Sequence, residues 1–202
     1  GITSKKNSDL YKNSDIGLIT PEVKEAGLEM IPTSSTINQL SIGDALAIST
    51  LKKKKINNLD FKKFHPSGSL GEKLKTAEDL MLTKDKIPFI DENRLMTKAL
   101  KIMTEKKLGT LIVRNKKKHT TGIITDGQIR RFNSRNINLN SLKVRDVMTK
   151  NPIKVDKNIL ATKALLIMNE KKITSLCVYE KKRKFITIGI LHIHNILNKK
   201  IY

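Results

Sequence analysis

The stretches TKALKIMTEKK (97–107) and TKALLIMNEKK (162–172) begin 65 residues apart and differ only at their fifth and eighth positions. In the first copy Leu95, Ala99, Ile102 and Met103 fall on one face of a helix, which predicts an amphipathic helix packed on a core. The flanking segments repeat in the same order: EDLM (78–81) with RDVM (145–148), GTLIVRN (109–115) with TSLCVYE (174–180), and TGIITDGQI (121–129) with IGILHIHNI (188–196). We therefore predict two β-α-β-β-α repeats, at 77–137 and 145–202, that form a pseudo-symmetric pair with a shared cleft.

Residues 1–76 have a different pattern. IGLIT (16–20) is an unbroken apolar run, as in a buried parallel strand, and IT (2–3) can form a second strand. PTSST (32–36) then offers hydroxyl caps to a long helix with an apolar stripe, INQLSIGDALAISTLKKKK (37–55). This order predicts the C-terminal part of a doubly wound α/β domain. Two strands are too few for an open parallel sheet, and the first residue is Gly1, so we expect a fragment of a longer protein.

Composition narrows the class of protein. Apolar residues make up 38% of the chain and aromatic residues 4%, with no tryptophan, so the cores must be aliphatic. The longest apolar run is far below the roughly 18 residues of a membrane span, and no secretion signal opens the chain. The single cysteine, Cys177, lies in the apolar run SLCVY, where a buried thiol is expected. We predict a cytoplasmic protein without a membrane partner.

The net charge of +21 raises the question of nucleic-acid binding. The lysines are scattered along the whole chain instead of forming one basic patch, and only 7 of the 40 basic residues are arginine. No aromatic residues interleave with them to stack on bases. We therefore predict no nucleic-acid partner.

The repeats resemble the tandem CBS module, named after cystathionine β-synthase, in their leading DLM and DVM, their helix and the strand GIIT. The resemblance implies a nucleotide site in the cleft, where the family often has strand-Thr-x-x-Asp, with the carboxylate accepting hydrogen bonds from ribose. Here the matching positions are Thr125 and Gln128 in one copy, and His192 and Asn195 in the other. Both carboxylates are replaced by amides, which are weaker acceptors. A nucleotide therefore stays a possible ligand.

Residues 1–76 resemble the C-terminal half of a sugar isomerase (SIS) domain. The match rests on VKEAG (23–27), PTSST (32–36), GDALA (43–47), FHPSGSLGEKL (64–74) and, in the first repeat, TDGQIRR (125–131). SIS followed by tandem CBS is similar to the arabinose 5-phosphate isomerase family. The resemblance implies interconversion of D-arabinose 5-phosphate and D-ribulose 5-phosphate through a cis-enediol, feeding synthesis of the Kdo sugar of lipopolysaccharide. It implies a homotetramer that the CBS pair regulates or helps to hold, and a reaction without a cofactor.

The resemblance makes Glu25 a catalytic carboxylate, and its place just after the strand IGLIT fits the edge where open α/β sheets bind ligands. A surface glutamate is the alternative. Pro21, Glu22 and Val23 share the same strand-end loop and are expected to line the sugar. Thr33, Ser34 and Ser35 open the long helix, where hydroxyl and N–H groups could bind the substrate's phosphate or simply cap the helix.

His65 is the second predicted catalytic residue. It stands in HPSGSLG, which lacks the lysine and spacing of a phosphate loop and does not match G-x-S-x-G. A neutral imidazole can take and return a proton during ring opening, and the resemblance implies that this histidine is catalytic. The alternative is a linker histidine that caps a turn. His192 and His194 alternate without further ligand residues, so no metal site is predicted.

Three hypotheses remain for the protein as a whole. The first is the isomerase, of which these 202 residues alone are expected to be inactive. The second is a non-enzymatic CBS module with a relic SIS segment, which would have no reason to keep both Glu25 and His65. A sugar-phosphate-responsive regulator is the third, and no helix-turn-helix pattern supports it.

Overall fold

The computed structural model describes residues 1–134 and 137–199. Residues 135, 136 and 200–202, which fall within the two predicted repeats, lie outside the described residues. The chain divides into two compact units, Gly1–Asn57 and Asn58–Tyr202. Residues 58–76, which the sequence assigns to the first domain, therefore lie with the second unit; the domain boundaries themselves stay a prediction.

The first unit contains the two predicted strands. Strand β1 (Ile2–Thr3) pairs in parallel with β2 (Leu18–Ile19). Helix α1 (Asp9–Lys12) connects them, and helix α2 (Ser34–Lys53) follows. A short helix between two parallel strands is the connection that a parallel pair requires, so the mixed α/β class predicted from the sequence is confirmed.

Helix α2 differs from its prediction in burial. None of its residues is buried, and Ile37 and Leu40 keep 64% and 65% of their surface exposed. Thr20 is the only buried residue in this unit. The periodic apolar stripe exists, but within the first unit no layer covers it.

The second unit shows the predicted order twice. Its elements before the second repeat are α3 (Asn58–Phe64), α4 (Gly68–Lys73), α5 (Ala77–Leu80), β3 (Phe89–Asp91), α6 (Met96–Lys106), β4 (Thr110–Arg114), β5 (Thr120–Thr125) and α7 (Asp126–Asn133). The second repeat has α8 (Val144–Val147), β6 (Thr149–Lys150), β7 (Lys154–Asp156), α9 (Ala161–Lys171), β8 (Ser175–Tyr179), β9 (Gly189–His192) and α10 (Ile193–Leu197). The orders β3-α6-β4-β5-α7 and β7-α9-β8-β9-α10 both confirm the β-α-β-β-α prediction.

The two repeats also share their sheet topology. In each, the first strand runs parallel to the second and the second pairs antiparallel with the third, with register pairs Ile112↔Ile123 and Cys177↔Ile190. Ile112, Cys177 and Ile190 form a buried cluster with Ile87, and Ile123 packs against it. The cluster contains residues of both repeats and therefore lies where they meet. Cys177 is fully buried, as predicted, and burial raises the pKa of its thiol to about 11.

The short leading helices are exchanged between the repeats. Val144 and Val147 of α8 belong to the core of the first repeat, together with Met96 and Leu111. Ala77 and Leu80 of α5 belong to the core of the second. Strand β6 likewise extends the first repeat's sheet by pairing with β5. Each repeat therefore completes the hydrophobic core of the other.

Two glycines make this exchange possible. A Cβ on Gly122 of β5 would collide with Met148, which follows α8, and a Cβ on Gly189 of β9 would collide with Met81, which follows α5. The repeated methionines of EDLM and RDVM therefore pack against glycines of the opposite repeat.

The helical face predicted for the first repeat is largely correct. Ala99 and Met103 are buried, but Leu95 is 48% exposed and Met96 is fully buried in its place. The reason is that α6 begins at Met96, so Leu95 is the extended residue before the helix and does not follow its periodicity.

Candidate functional site

A cavity of about 450 Å³ lies at the carboxyl ends of β1 and β2, and we call it the strand-end cavity. The predicted catalytic residue Glu25 and the predicted substrate-binding residues Pro21, Glu22, Val23 and Ser35 line it, whereas Thr33 and Ser34 are outside its lining. Strand ends of a parallel pair meet at one edge of the sheet, which explains why these residues come together.

The other side of the strand-end cavity was not predicted from the sequence. Ser4 and Lys5 line it, as do Asn38 and Gln39 of α2. The polar turn SKKNSD directly after β1 was the available signal, because β1 ends at the same sheet edge as β2. Lys5 adds a positive charge to a cavity that also holds two glutamates.

Glu25 is held at the start of α2. Its Oε2 accepts hydrogen bonds from the Thr33 backbone N–H at 2.7 Å, the Thr33 hydroxyl at 3.0 Å and the Ser35 backbone N–H at 3.3 Å. Hydrogen bonding by Ser35, and then by the Thr33 backbone, lowers the pKa of Glu25 to about 2. The carboxylate is therefore ionised throughout the physiological pH range.

This arrangement also bears on the helix start. Thr33 is the residue before α2, but its side chain does not cap the helix; its oxygen accepts from the Ala26 N–H at 2.8 Å and donates to Glu25. The N–H groups of Thr33 and Ser35, two of the donors considered for a phosphate, already have an anionic partner in Glu25. The carboxylate of Glu25 therefore caps the start of α2, which was not predicted from the sequence.

His65 lies in the second unit, directly after α3, and is half-buried. Its ring stacks on Phe61 with 4.2 Å between centroids, and its Nδ1 lies 3.2 Å from the Phe61 carbonyl oxygen. A carbonyl only accepts, so Nδ1 carries the hydrogen and Nε2 of the neutral ring is free to accept a proton. Gly71 holds the turn tight, because a Cβ there would lie 2.9 Å from the His65 carbonyl oxygen.

A larger cavity of about 810 Å³ lies between the repeats, and we call it the repeat cleft. Thr125, Gln128 and His192 line it, as expected for the predicted nucleotide positions, while Asn195 is outside its lining. Equivalent residues of both repeats contribute, including Lys107 with Lys172 and Gly109 with Thr174. The cleft predicted from the pseudo-symmetry is therefore present.

Gln128 and Asn195, the amides at the positions where the family often has a carboxylate, form hydrogen bonds within the chain. Gln128 accepts from the Thr125 N–H at 2.8 Å through its Oε1 and donates to the Thr149 hydroxyl through its Nε2. Asn195 accepts from the His192 N–H at 3.0 Å. Both side chains thus cap the helices that follow β5 and β9.

Positive charge dominates the repeat cleft. Among the residues that the structure describes, its lining has the cations Lys107, Arg130, Arg131 and Lys172 and one carboxylate, Asp126. His192 also lines the cleft, and burial, followed by the nearby His194, lowers its pKa. These four cations were missed because the scattered lysines of the sequence show no cluster.

Metal sites and membrane spans are absent from the described part of the chain. Residues 1–134 and 137–199 contain no group of three or more His, Cys, Asp or Glu side chains arranged to hold a metal ion. Within the same residues, no helix is both long enough and apolar enough to cross a membrane.

Comparison with known proteins relates the chain to curated relatives over nearly its whole length. It is 36% identical over 198 residues to arabinose 5-phosphate isomerase KdsD of Escherichia coli (strain K12), covering 97% of this chain and 60% of that protein. It is 38% identical over 197 residues to the uncharacterized protein RP505 of Rickettsia prowazekii, covering 98% of this chain and 60% of that protein. The chain thus spans about three fifths of the length of these relatives.

Solved structures share the fold of the repeat pair. CBSX2 in complex with AMP superposes with a TM-score of 0.55 at 22% identity, over 62% of this chain and 96% of that one. The CBS domain pair of MJ0100, in complex with 5′-methylthioadenosine and S-adenosyl-L-methionine, gives 0.54 at 18% identity, over 61% and 94%. The CBS domain family profile matches residues 77–135 and 144–201, more than half of the chain. With the fold, the repeats and this match in agreement, the chain belongs to the CBS domain family.

Proposed function

We propose that this chain is the C-terminal part of a sugar-phosphate isomerase that interconverts D-arabinose 5-phosphate and D-ribulose 5-phosphate. In this proposal the first unit and the HPSGSLG segment belong to an SIS domain, and the CBS pair regulates the enzyme or helps to hold a homotetramer. The likeness to KdsD over 97% of the chain supports it. The strand-end cavity is the observation in the structure that carries it, because it gathers the predicted sugar-binding loop around an ionised glutamate.

The reaction moves a proton between C2 and C1 through a cis-enediol and needs help with ring opening. A carboxylate whose pKa is about 2 accepts a proton poorly, since a general base works best near the pH of the reaction. As arranged here, Glu25 is better suited to accept a hydrogen bond from a sugar hydroxyl and so fix the substrate's orientation. The free Nε2 of His65 suits proton transfer during ring opening.

The test uses the full-length gene product. We expect conversion of arabinose 5-phosphate to ribulose 5-phosphate, and a loss of about 10²-fold or more in kcat/KM for His65→Ala, which removes a proton-transfer group. A loss of the same order is expected for Glu25→Gln, because it removes the charged acceptor that orients the sugar. Glu29→Gln is the matched control, because Glu29 is an exposed carboxylate in the same loop outside the cavity lining. Absence of turnover with any pentose phosphate, or equal losses for Glu25→Gln and Glu29→Gln, would reject the proposal.

For the 202-residue chain alone we propose no isomerase activity. The strand-end cavity belongs to a unit in which only Thr20 is buried, and the chain covers 60% of the length of KdsD. A sugar site needs a firmly held sheet edge, which an open two-stranded sheet does not provide. Turnover by the purified 202-residue chain would contradict this expectation.

A second candidate function is a non-enzymatic nucleotide-binding or regulatory module. The repeat cleft favours it, because it draws equivalent residues from both repeats into one cavity of about 810 Å³. AMP is bound in the crystal structure of CBSX2, which shares the fold. Titration of the full-length protein with AMP tests for binding, and the isomerase assay at saturating AMP tests for an effect on turnover. A changed turnover rate would indicate that the module regulates the enzyme. AMP binding without any isomerase activity would indicate a non-enzymatic module.

A further inference from the structure

We propose that Lys62 and Asp79 are positioning residues, which fix the predicted catalytic residue His65 relative to the second repeat. The inference rests on the proposed function, because that function gives His65 its part in ring opening. It goes further by assigning a role to two residues that act through His65 and do not react with the sugar themselves. All three residues lie in the unit Asn58–Tyr202.

His65 takes its orientation from helix α3. Its ring stacks on Phe61, and its Nδ1 lies 3.2 Å from the Phe61 carbonyl oxygen. The backbone N–H of His65 donates to the same carbonyl oxygen at 3.2 Å. Because Phe61 belongs to α3, the direction of the free Nε2 depends on where α3 lies. Proton transfer requires its two partners within hydrogen-bond reach, so α3 must keep one position.

Hydrophobic packing contributes little to holding α3. None of its residues is buried, and none belongs to the three hydrophobic clusters found within residues 1–134 and 137–199. Its last residue, Phe64, is 72% exposed. Helices in proteins obtain most of their stability from packing an apolar face. This helix therefore depends on polar contacts to stay in place.

An ion pair supplies such a contact. Lys62 of α3 donates from its Nζ to Oδ2 of Asp79, which lies on α5. The two side chains are only 29% and 32% exposed, so salt screens this pair less than a fully exposed one. Partial burial raises the pKa of Asp79, but hydrogen bonds from Lys62 and Thr76 outweigh it and lower the pKa below its ordinary value. Asp79 is therefore ionised at neutral pH.

Asp79 is in turn held by the start of α5. Its Oδ2 also accepts from the Thr76 N–H at 2.6 Å and from the Thr76 hydroxyl at 2.8 Å, and Thr76 is buried. Ala77 and Leu80 of α5 belong to the core of the second repeat. Asp79 is thus attached to the second repeat on one side and to α3 on the other.

Backbone hydrogen bonds join the start of α5 to the start of α9. The N–H of Ala77 donates to the Ile159 carbonyl oxygen, and the N–H of Ala161 donates to the Lys75 carbonyl oxygen, each at 2.8 Å. A displacement of the start of α9 therefore displaces α5 and Asp79. Through the ion pair with Lys62 it also displaces α3 and His65. The geometry of the second repeat thus reaches the predicted catalytic histidine.

Lys63 provides the matched control. It is the next residue of α3 and has the same charge, and its ion pair with Asp60, at 3.1 Å, stays within the helix. Loss of this pair changes the charge of α3 as much as loss of the Lys62 pair does. It leaves the attachment to α5 intact.

The kinetic test compares variants of the full-length protein. Lys62→Gln should lower kcat about tenfold and change KM by less than about twofold, because a displaced proton-transfer group slows the chemical step. Lys62→Arg keeps the ion pair and should retain kcat within about twofold of the parent. Lys63→Gln should leave both constants unchanged. An unchanged kcat for Lys62→Gln, or an equal loss for Lys63→Gln, would overturn the inference.

A double variant shows whether Lys62 acts through His65. In the His65→Ala background, Lys62→Gln should cause no further loss of kcat, since the group that it positions is gone. A role in general stability would lower kcat by the same factor in both backgrounds. That outcome would also overturn the inference.

Hydrogen exchange separates failure of this inference from failure of the proposed function. In Lys62→Gln the amides of residues 61–71 should exchange about fivefold faster or more, while those of α6 keep their rates. Faster exchange in a parent protein without isomerase activity would reject the proposed function and leave only the attachment of α3 standing. Unchanged exchange would overturn the inference, whether or not the parent is an active isomerase.

Discussion

The two units of this chain contain similar aliphatic residues but bury them very differently. In the second unit Met96, Leu111 and Leu176 are fully buried, whereas Ile37 and Leu40 on α2 of the first unit are about two thirds exposed. A helix or sheet buries its apolar face only against another layer. The paired repeats supply layers to each other through their exchanged leading helices, while the two-stranded sheet of the first unit supplies none for α2. An apolar stripe on a helix is therefore not enough to bury that helix; a second layer must also be available to pack on it.

Separation of the units should have the largest effect. We expect residues 58–202 to unfold in one cooperative transition, because two hydrophobic cores and the cluster between them are complete there. Residues 1–57 should show no cooperative transition, since small domains without a buried core are not stable alone. Circular dichroism melting curves of the two pieces check this. A sharp transition of residues 1–57 would show that the first unit has a stable core of its own and would contradict the comparison.

Leucine truncation should show the same contrast within the intact chain. Leu111→Ala and its counterpart Leu176→Ala each remove a fully buried side chain and should cost about 2–5 kcal/mol of unfolding free energy. Leu40→Ala is the matched control on an exposed face and should change it by less than about 0.5 kcal/mol. Urea unfolding measures all three. A large cost for Leu40→Ala would mean that α2 is covered in solution.

The exchanged contacts of the second unit can be tested through Gly122. Gly122→Ala should cost about 1–3 kcal/mol, because the new methyl group collides with Met148 of the opposite repeat. Met148→Ala should relieve the collision, so that the double variant is more stable than the sum of the single changes predicts. Urea unfolding of the cycle gives the coupling free energy. Strict additivity would mean that the two residues do not touch.

The smallest effect concerns the first unit and the hydrogen bonds of Glu25. Glu25 should titrate with a pKa of about 2, and the nearby Glu29 serves as the comparison in a carboxyl NMR titration. Because the folded pKa is below the ordinary value of 4.5, the stabilisation is present above about pH 4.5 and is lost as the pH falls through about 2. Titration of Glu25 near 4.5 would show that the bonds from Thr33 and Ser35 do not persist in solution.

Much of the fold was predictable from local pattern. The repeat of TKALKIMTEKK predicted both copies of the β-α-β-β-α unit. The run IGLIT correctly predicted a strand parallel to β1, but its burial was wrong: β2 covers only Leu18–Ile19, and Ile16 and Ile19 are 74% and 40% exposed because no layer packs on this sheet within the first unit. Of the strand-end cavity, the sequence predicted the side that follows β2 but not Ser4 and Lys5, which follow β1. The position of Ser4 and Lys5 depends on the pairing of β1 with β2, which brings the ends of the two strands together. The sequence pattern of a single strand does not show which strand it pairs with. The catalytic roles of Glu25 and His65 stay predictions.

The sequence by itself determined the repeats, their period and their strand and helix order, because side-chain periodicity is a property of neighbouring residues. Only the tertiary structure decided that α5 and α8 change places, since both have the same short apolar pattern and either core could accept them. It also decided that Gln128 and Asn195 serve their own helix starts, and that scattered lysines and arginines meet in one cleft. Those outcomes depend on contacts between residues far apart in the chain, which no local pattern encodes.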